Sequence, residues 1–125
     1  KRLNEKSAMN IEQMRDYCLS RKGATEDTAF GEDYLLFRIY NKIFACLSLN
    51  RPDCITLKCD PDRALELREH YAGIEGAFHW NKRYWNDVCF NADVPDELIL
   101  ELVDHSVSEV LRKLPKKIQA EYAEV

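Results

Sequence analysis

Tyr34-Leu35-Leu36-Phe37-Arg38-Ile39-Tyr40-Asn41-Lys42-Ile43-Phe44-Ala45-Cys46-Leu47-Ser48-Leu49 decides the fold. Apolar residues recur there with a period of two, as the alternating faces of a strand require. Leu35, Phe37 and Ile39 share one face, and Tyr34, Leu36, Arg38 and Tyr40 share the other. Asn41-Lys42 reads as a compact turn, since Asn tolerates positive φ. The chain then returns through Ile43, Ala45, Leu47 and Leu49, with Phe44 and Cys46 on the opposite face. After Asn50-Arg51-Pro52-Asp53, a third strand reads Cys54-Ile55-Thr56-Leu57-Lys58-Cys59. The three strands predict an antiparallel meander.

Helical patterns flank the meander on both sides. Asn10 followed by Gln13 is a capping-box arrangement that opens a helix carrying Ile11, Met14 and Cys18 inward. Gly23 is its expected stop, and a polar loop leads on to Phe30-Gly31-Glu32. Asp60-Pro61 opens a second helix, with Asp60 as N-cap and Pro61 in the first turn, and Gly73 ends it. From Pro95 the longest helix carries Leu98, Leu102, Val103, Val107, Val110, Leu111 and Leu114 on one broad face. Asp96 and Glu97 in its first turn and Arg112 and Lys113 in its last suit the helix dipole. Between these two helices, Phe78-His79-Trp80 and Trp85-Asn86-Asp87-Val88-Cys89-Phe90 read as a second hairpin about Asn81-Lys82-Arg83. The resulting order is α-βββ-α-ββ-α, an α+β domain with one antiparallel sheet and helices packed on one face.

Length and composition set the limits. With 125 residues the chain holds one core. Residues 1–8 read as a cloning remnant or flexible extension, 9–117 as the domain and 118–125 as a flexible tail. No apolar run is long enough to span a bilayer, and no signal peptide opens the sequence. Cys18, Cys46, Cys54, Cys59 and Cys89 form an odd set without a CxxC pair. They read as reduced, mostly buried thiols in a cytoplasmic protein. A net charge of −4 and a pI near 5.4 argue against a protein that coats nucleic acid by charge alone.

Catalytic chemistry finds little purchase. The four glycines at 23, 31, 73 and 76 form no phosphate loop. No Cys–His signature is present, so no catalytic residue, no cofactor and no metal ligand is expected, and the chain reads as a non-enzyme. Cys54 and Cys59 face opposite sides of a strand and cannot share an ion. The acidic run of Asp93, Asp96, Glu97, Glu101 and Asp104 reads as a solvated helix face. His105, in mid-helix, reads as a core-edge histidine bonded to a backbone carbonyl.

The densest recognition chemistry lies in His79-Trp80-Asn81-Lys82-Arg83-Tyr84-Trp85. Rings stack on flat partners, Lys and Arg hold phosphate, and Asn and Arg can read a base edge. The same rings also serve as core residues, and Lys82 and Arg83 as a solvated tip. If the segment is a regular strand, Phe78 and Trp80 share a face and His79 points the other way.

Several segments together resemble the MmcQ/YjbR family. They are Phe30-Gly31-Glu32-Asp33, Lys42-Ile43-Phe44-Ala45, Leu57-Lys58-Cys59-Asp60-Pro61, the His79–Trp85 run, Asp104-His105-Ser106 and Leu114-Pro115-Lys116-Lys117. The likeness runs from about Met9 to Lys117. Asn41 departs from it, standing where a Gly is usual, and Trp80 occupies a variable position. The resemblance implies a frataxin-like (CyaY-like) fold and a DNA-binding role, the latter attached to the family through the likeness of its fold to a phage double-wing domain. On that reading Lys82 and Arg83 sit on phosphate, His79 and Asn81 orient or read, and Trp80 or Tyr84 stacks. Lys42, Lys58, Lys116 and Lys117 add phosphate contacts. The alternative is a monomeric adaptor for a protein or small ligand, with no nucleic-acid role, in which His79, Asn81 and His105 line a pocket. A frataxin-like iron role is poorer, because the first helix lacks an acidic ridge.

Overall fold

The computed structural model describes residues 9–124. The expected extension at residues 1–8 lies outside them. Six strands form one antiparallel sheet in the order β1-β2-β3-β4-β6-β5. They are β1 (Thr25–Asp27), β2 (Tyr34–Ile39), β3 (Lys42–Ser48), β4 (Cys54–Lys58), β5 (Ile74–Gly76) and β6 (Trp85–Cys89). Helices α1 (Ile11–Leu19), α2 (Pro61–His70), α3 (Asp96–Arg112) and α4 (Lys116–Glu124) complete the described chain. The expected α-βββ-α-ββ-α order is present. A short strand, β1, joins it ahead of the meander and one further helix follows it.

Local chemistry explains the boundaries. The Asn10 side chain accepts from the Gln13 amide at 2.8 Å, and Gln13 accepts from the Asn10 amide at 3.0 Å, which closes the capping box. Asp60 accepts from the Arg63 amide at 3.1 Å and so caps α2. Tyr40 and Asn41 both adopt positive φ, 48° and 68°. That is the signature of a two-residue type I′ hairpin, one position earlier than the Asn41-Lys42 turn read from the sequence. A bulge between Phe37 and Arg38 leaves Phe44 without a cross-strand partner. The extra residue turns Phe44 into the core beside Ala45, whereas strict alternation put it on the other face.

One face of the sheet carries the helices. Phe37, Ala45, Leu47, Ile55, Leu57 and Val88 meet Ile99, Leu102, Val103 and Val110 of α3 in one core. Two hydrogen bonds pin that helix to the sheet. The Ser106 hydroxyl, fully buried, donates to the Phe44 carbonyl at 2.5 Å and accepts from the Lys58 amide at 3.0 Å. These are backbone groups that the bulge and the end of β4 leave without ladder partners. His105 Nε2 accepts from the Asp60 amide at 3.1 Å, so the ring serves as acceptor where donation to a carbonyl was expected. Burial, followed by the Arg63 charge, pushes the His105 pKa down and keeps that nitrogen free to accept.

Three expectations need correction. The Phe78–Trp80 segment is not a strand: β5 ends at Gly76, and residues 77–84 form a loop of turns before β6. Alternation there imitated a strand, but its backbone bonds include turn bonds, from the Trp80 amide to the Ala77 carbonyl and from the Tyr84 and Trp85 amides to the Asn81 carbonyl. Ala77 pairs with β6 through its amide, which donates to the Trp85 carbonyl. The region 118–124 is helical within α4, tied back by Tyr122, whose hydroxyl donates to the Lys22 carbonyl at 2.8 Å. Finally, Cys54 and Cys89 form a disulfide. They face each other across β4 and β6 with Cα atoms 3.9 Å apart, a juxtaposition that 35 residues of separation conceal in the sequence. Cys18, Cys46 and Cys59 are free and buried, as read, and burial pushes each thiol up to about 12. The cytoplasmic expectation rested on five unpaired thiols, and this bond removes that support.

Ser106→Ala should lower unfolding free energy by about 1–3 kcal/mol, because a buried donor and a buried acceptor lose their partner together. Urea denaturation followed by tryptophan emission measures this. A change within a few tenths of a kcal/mol would show that the two bonds do not anchor α3.

Candidate nucleic-acid interface

The face of the sheet opposite α3 carries the row Leu36, Cys46, Thr56, Asp87 and Glu75, in register across five strands. Among the described residues no helix lies on it, yet Leu36, Cys46 and Asp87 are buried. The 77–84 loop rises over this face and holds its shape through its own polar groups. Asn81 Oδ1 accepts from the Arg83 amide at 3.0 Å, and the Asn81 carbonyl accepts from the amides of Tyr84 and Trp85. Asn81 is thus a turn-former, and its side-chain oxygen is already committed. From α2, Arg68 bonds Asn86 Oδ1 at 2.7 Å and the Lys82 carbonyl, fastening the loop to the helical layer. The Trp80 ring packs 4.5 Å from Trp85 and 5.9 Å from Phe30.

Two hollows open on either side of Trp80. The first is a cavity of about 330 Å³ whose walls include Tyr34, Phe78, His79 and Trp80, over Cys46, Thr56 and Asp87. Phe78, His79 and Trp80 all line it, which a regular strand would have forbidden. The second is a cleft of about 610 Å³ lined by Arg38, Lys42, Lys58 and Lys113 with Asn41, Ile43, Trp80, Trp85, Val110 and Leu114. Among the described residues, four cations and no carboxylate line that cleft.

The electrostatics of the cleft are asymmetric. Arg38 is held by Asp27 at 2.6 Å. Burial first, and then the nearby Lys113 charge, push the Lys58 ammonium below the ordinary lysine range, while Glu109 pulls the other way. Glu109 is itself engaged by Arg112 at 3.0 Å. Lys113 also lies over the Tyr84 ring, 5.7 Å from its centre. Like charges gathered on a half-buried apolar base favour a bound anion, whose arrival relieves the repulsion.

The residues singled out in the sequence separate into groups. Lys42, Lys58 and Trp80 line the cleft, and Tyr84 stands beside it through Lys113. His79 lines the other cavity. Lys82 folds back on its own loop, its Nζ 3.5 Å from the Phe78 carbonyl and 5.5 Å from the Phe78 ring centre. Its stem also crowds Gly76, where a Cβ would sit 3.1 Å from it. Arg83 bonds the Tyr84 hydroxyl at 3.2 Å. Lys116 and Lys117 are exposed in the first turn of α4 and do not line the cleft. His105, bonded to Asp60, does not join His79. Sequence reading missed Arg38 and Lys113 as cleft residues. The one signal for Lys113 is its place as the C-cap of α3, which the helix dipole alone suffices to explain. Among the described residues, no three His, Cys, Asp or Glu side chains gather as a metal site.

Removing the Lys113 charge by Lys113→Ala should raise the Lys58 pKa, and sulfate should raise it in the parent protein. Side-chain NMR titration of Lys58 reads both changes. An unchanged Lys58 titration in Lys113→Ala would mean that the two ammonium groups do not share the cleft.

Known proteins share this frame. The chain is 28% identical over 111 residues to the uncharacterized protein YjbR of Escherichia coli K12, covering 87% of this chain and 93% of that one. It is 32% identical over 91 residues to the uncharacterized protein YbdF of Escherichia coli O157:H7, covering 72% and 75%. Among solved structures, Deinococcus radiodurans protein DR2400, with its DUF419 domain, superposes with a TM-score of 0.85 at 27% identity, over 94% of this chain and 90% of that one. A Pseudomonas syringae protein superposes with a TM-score of 0.67 at 27% identity, over 78% and 96%. The YjbR family profile matches residues 19–107, and the chain belongs to the YjbR family.

Proposed function

We propose that the protein is a non-enzymatic DNA-binding module that grips the phosphate backbone in the Trp80–Trp85 cleft. The observation that carries this reading is the convergence of Lys42, Lys58 and Lys113 in a cleft lined, among the described residues, by no carboxylate, within a chain of net charge −4. In an acidic protein, such a gathering directs polyanions to one place and repels them elsewhere. Lys42 and Lys113 extend from the exposed rim to contact phosphate, and Lys58 supplies charge from the half-buried base. Arg83 and the Lys116-Lys117 pair, exposed nearby in sequence, extend the positive field without lining the cleft.

This arrangement differs from a hairpin tip pressed into a groove. Lys82 turns onto Phe78, and Asn81 holds the loop, so neither reaches outward as a reading head. The cleft walls are the turn after β2, the end of β4, the C-terminal end of α3 and the two tryptophans. The second reading, an adaptor for a small ligand, draws its support from the separate cavity beside His79. Salt dependence distinguishes the two, because a neutral ligand in that cavity releases no counterions.

Fluorescence anisotropy of labelled DNA across salt tests the proposal. Three engaged lysines predict a slope of about −2.7 in log K against log salt on a duplex, at about 0.9 per phosphate. Lys42→Ala/Lys58→Ala should weaken binding uniformly across sequences and flatten that slope by about one unit per lysine removed. Binding that is unaltered in the double variant, or absent at low salt, overturns the proposal.

A further inference from the structure

We infer that the cavity on the far side of Trp80 receives an unstacked DNA base, so that the strand bound in the cleft is single. This inference rests on the cleft reading above and names its substrate class. Trp80 lines both hollows, so the cavity adjoins the cleft in which Lys42 and Lys58 hold the phosphates. The cavity volume, about 330 Å³, lies in the range of small-molecule sites.

Its lining has the composition that a base requires. Tyr34, Phe78, His79 and Trp80 contribute aromatic rings to it. Phe78 is 72% exposed and Phe30, against Trp80, is 56% exposed. Large rings left this open beside a cavity are poor core residues and good stacking platforms, and stacking accepts any base. The base of the cavity is polar. Asp87 is 7% exposed, yet among the described residues its carboxylate takes only the Thr56 hydroxyl at 2.5 Å and Arg51 at 3.1 Å. A carboxylate accepts more bonds than that, and its free lone pairs suit the amino and imino hydrogens of a base edge. Duplex DNA keeps those edges paired and must spend the free energy of flipping one base to present one, whereas a single strand presents it without that cost.

Anisotropy with a labelled 12-nucleotide single strand and a labelled hairpin duplex of equal charge count tests the inference. Each is titrated with the parent protein, Phe78→Ala, Asp87→Asn and Lys42→Ala/Lys58→Ala. Phe78 is exposed enough that its truncation leaves the fold intact, and Asp87→Asn keeps the side-chain shape. The single strand should bind more tightly than the duplex. Phe78→Ala should cost about fivefold or more on the single strand and leave the duplex unchanged. Equal or tighter duplex binding overturns the inference, as does a Phe78→Ala protein with parental affinity for the single strand. If the lysine variant still loses affinity in that case, the cleft reading stands without the base site. No binding of either DNA by the parent protein overturns both.

Discussion

The structure depends on how a sheet whose described helices lie on one face shields the apolar residues of its other face. Six strands place Leu36 and Cys46 on the side away from α3, where no described helix covers them, yet both are buried. The 77–84 loop stands over that side, with Trp80 wedged between Phe30 and Trp85. Burying apolar surface contributes about 25 cal/mol per Å², so the Trp80 ring, packed on Trp85 of β6, is held there by the same force that builds the core. Arg68 then fixes its position from the helical side by bonding Asn86 and the Lys82 carbonyl.

The same wedge makes the candidate site. The Trp80 indole lines both hollows, and these differ in character because the residues beneath them differ. Toward the β2–β3 turn and the end of α3 the side chains are Lys42, Lys58 and Lys113. Toward β4 and β6 they are Arg51, Thr56 and Asp87, with Cys54 of the disulfide also in the lining. The structural role of Trp80 and the recognition role proposed for it therefore coincide in one ring.

Much of the fold was legible because its signals are local. The period-two runs of residues 34–39 and 42–48, the Asn10–Gln13 capping box and the Asp60-Pro61 start each declare themselves within a few residues. What escaped was set by distant partners. The bulge that turns Phe44 inward is supported by Ser106, 62 residues away. Cys54 meets Cys89 only because β4 and β6 are neighbours. The His79–Trp85 run is as dense in polar and aromatic groups as it reads, but local alternation could not reveal that Asn81 closes a turn or that Lys82 folds under. Lys42 and Lys58 stood out for charge, and topology brought them together; Lys116 and Lys117 stood out for the same reason and lie outside.

Everything proposed for this protein rests on Trp80, Trp85 and the three lysines forming one binding surface. A residue-resolved NMR titration of the full chain with a short single-stranded DNA at low salt tests this most directly. One surface predicts that the indole N–H signals of Trp80 and Trp85 shift together with the Lys42, Lys58 and Lys113 signals, saturating on one binding curve and reversing with added salt. Shifts confined to α4 around Lys116 and Lys117, or none in the Trp80–Trp85 pair, would contradict it.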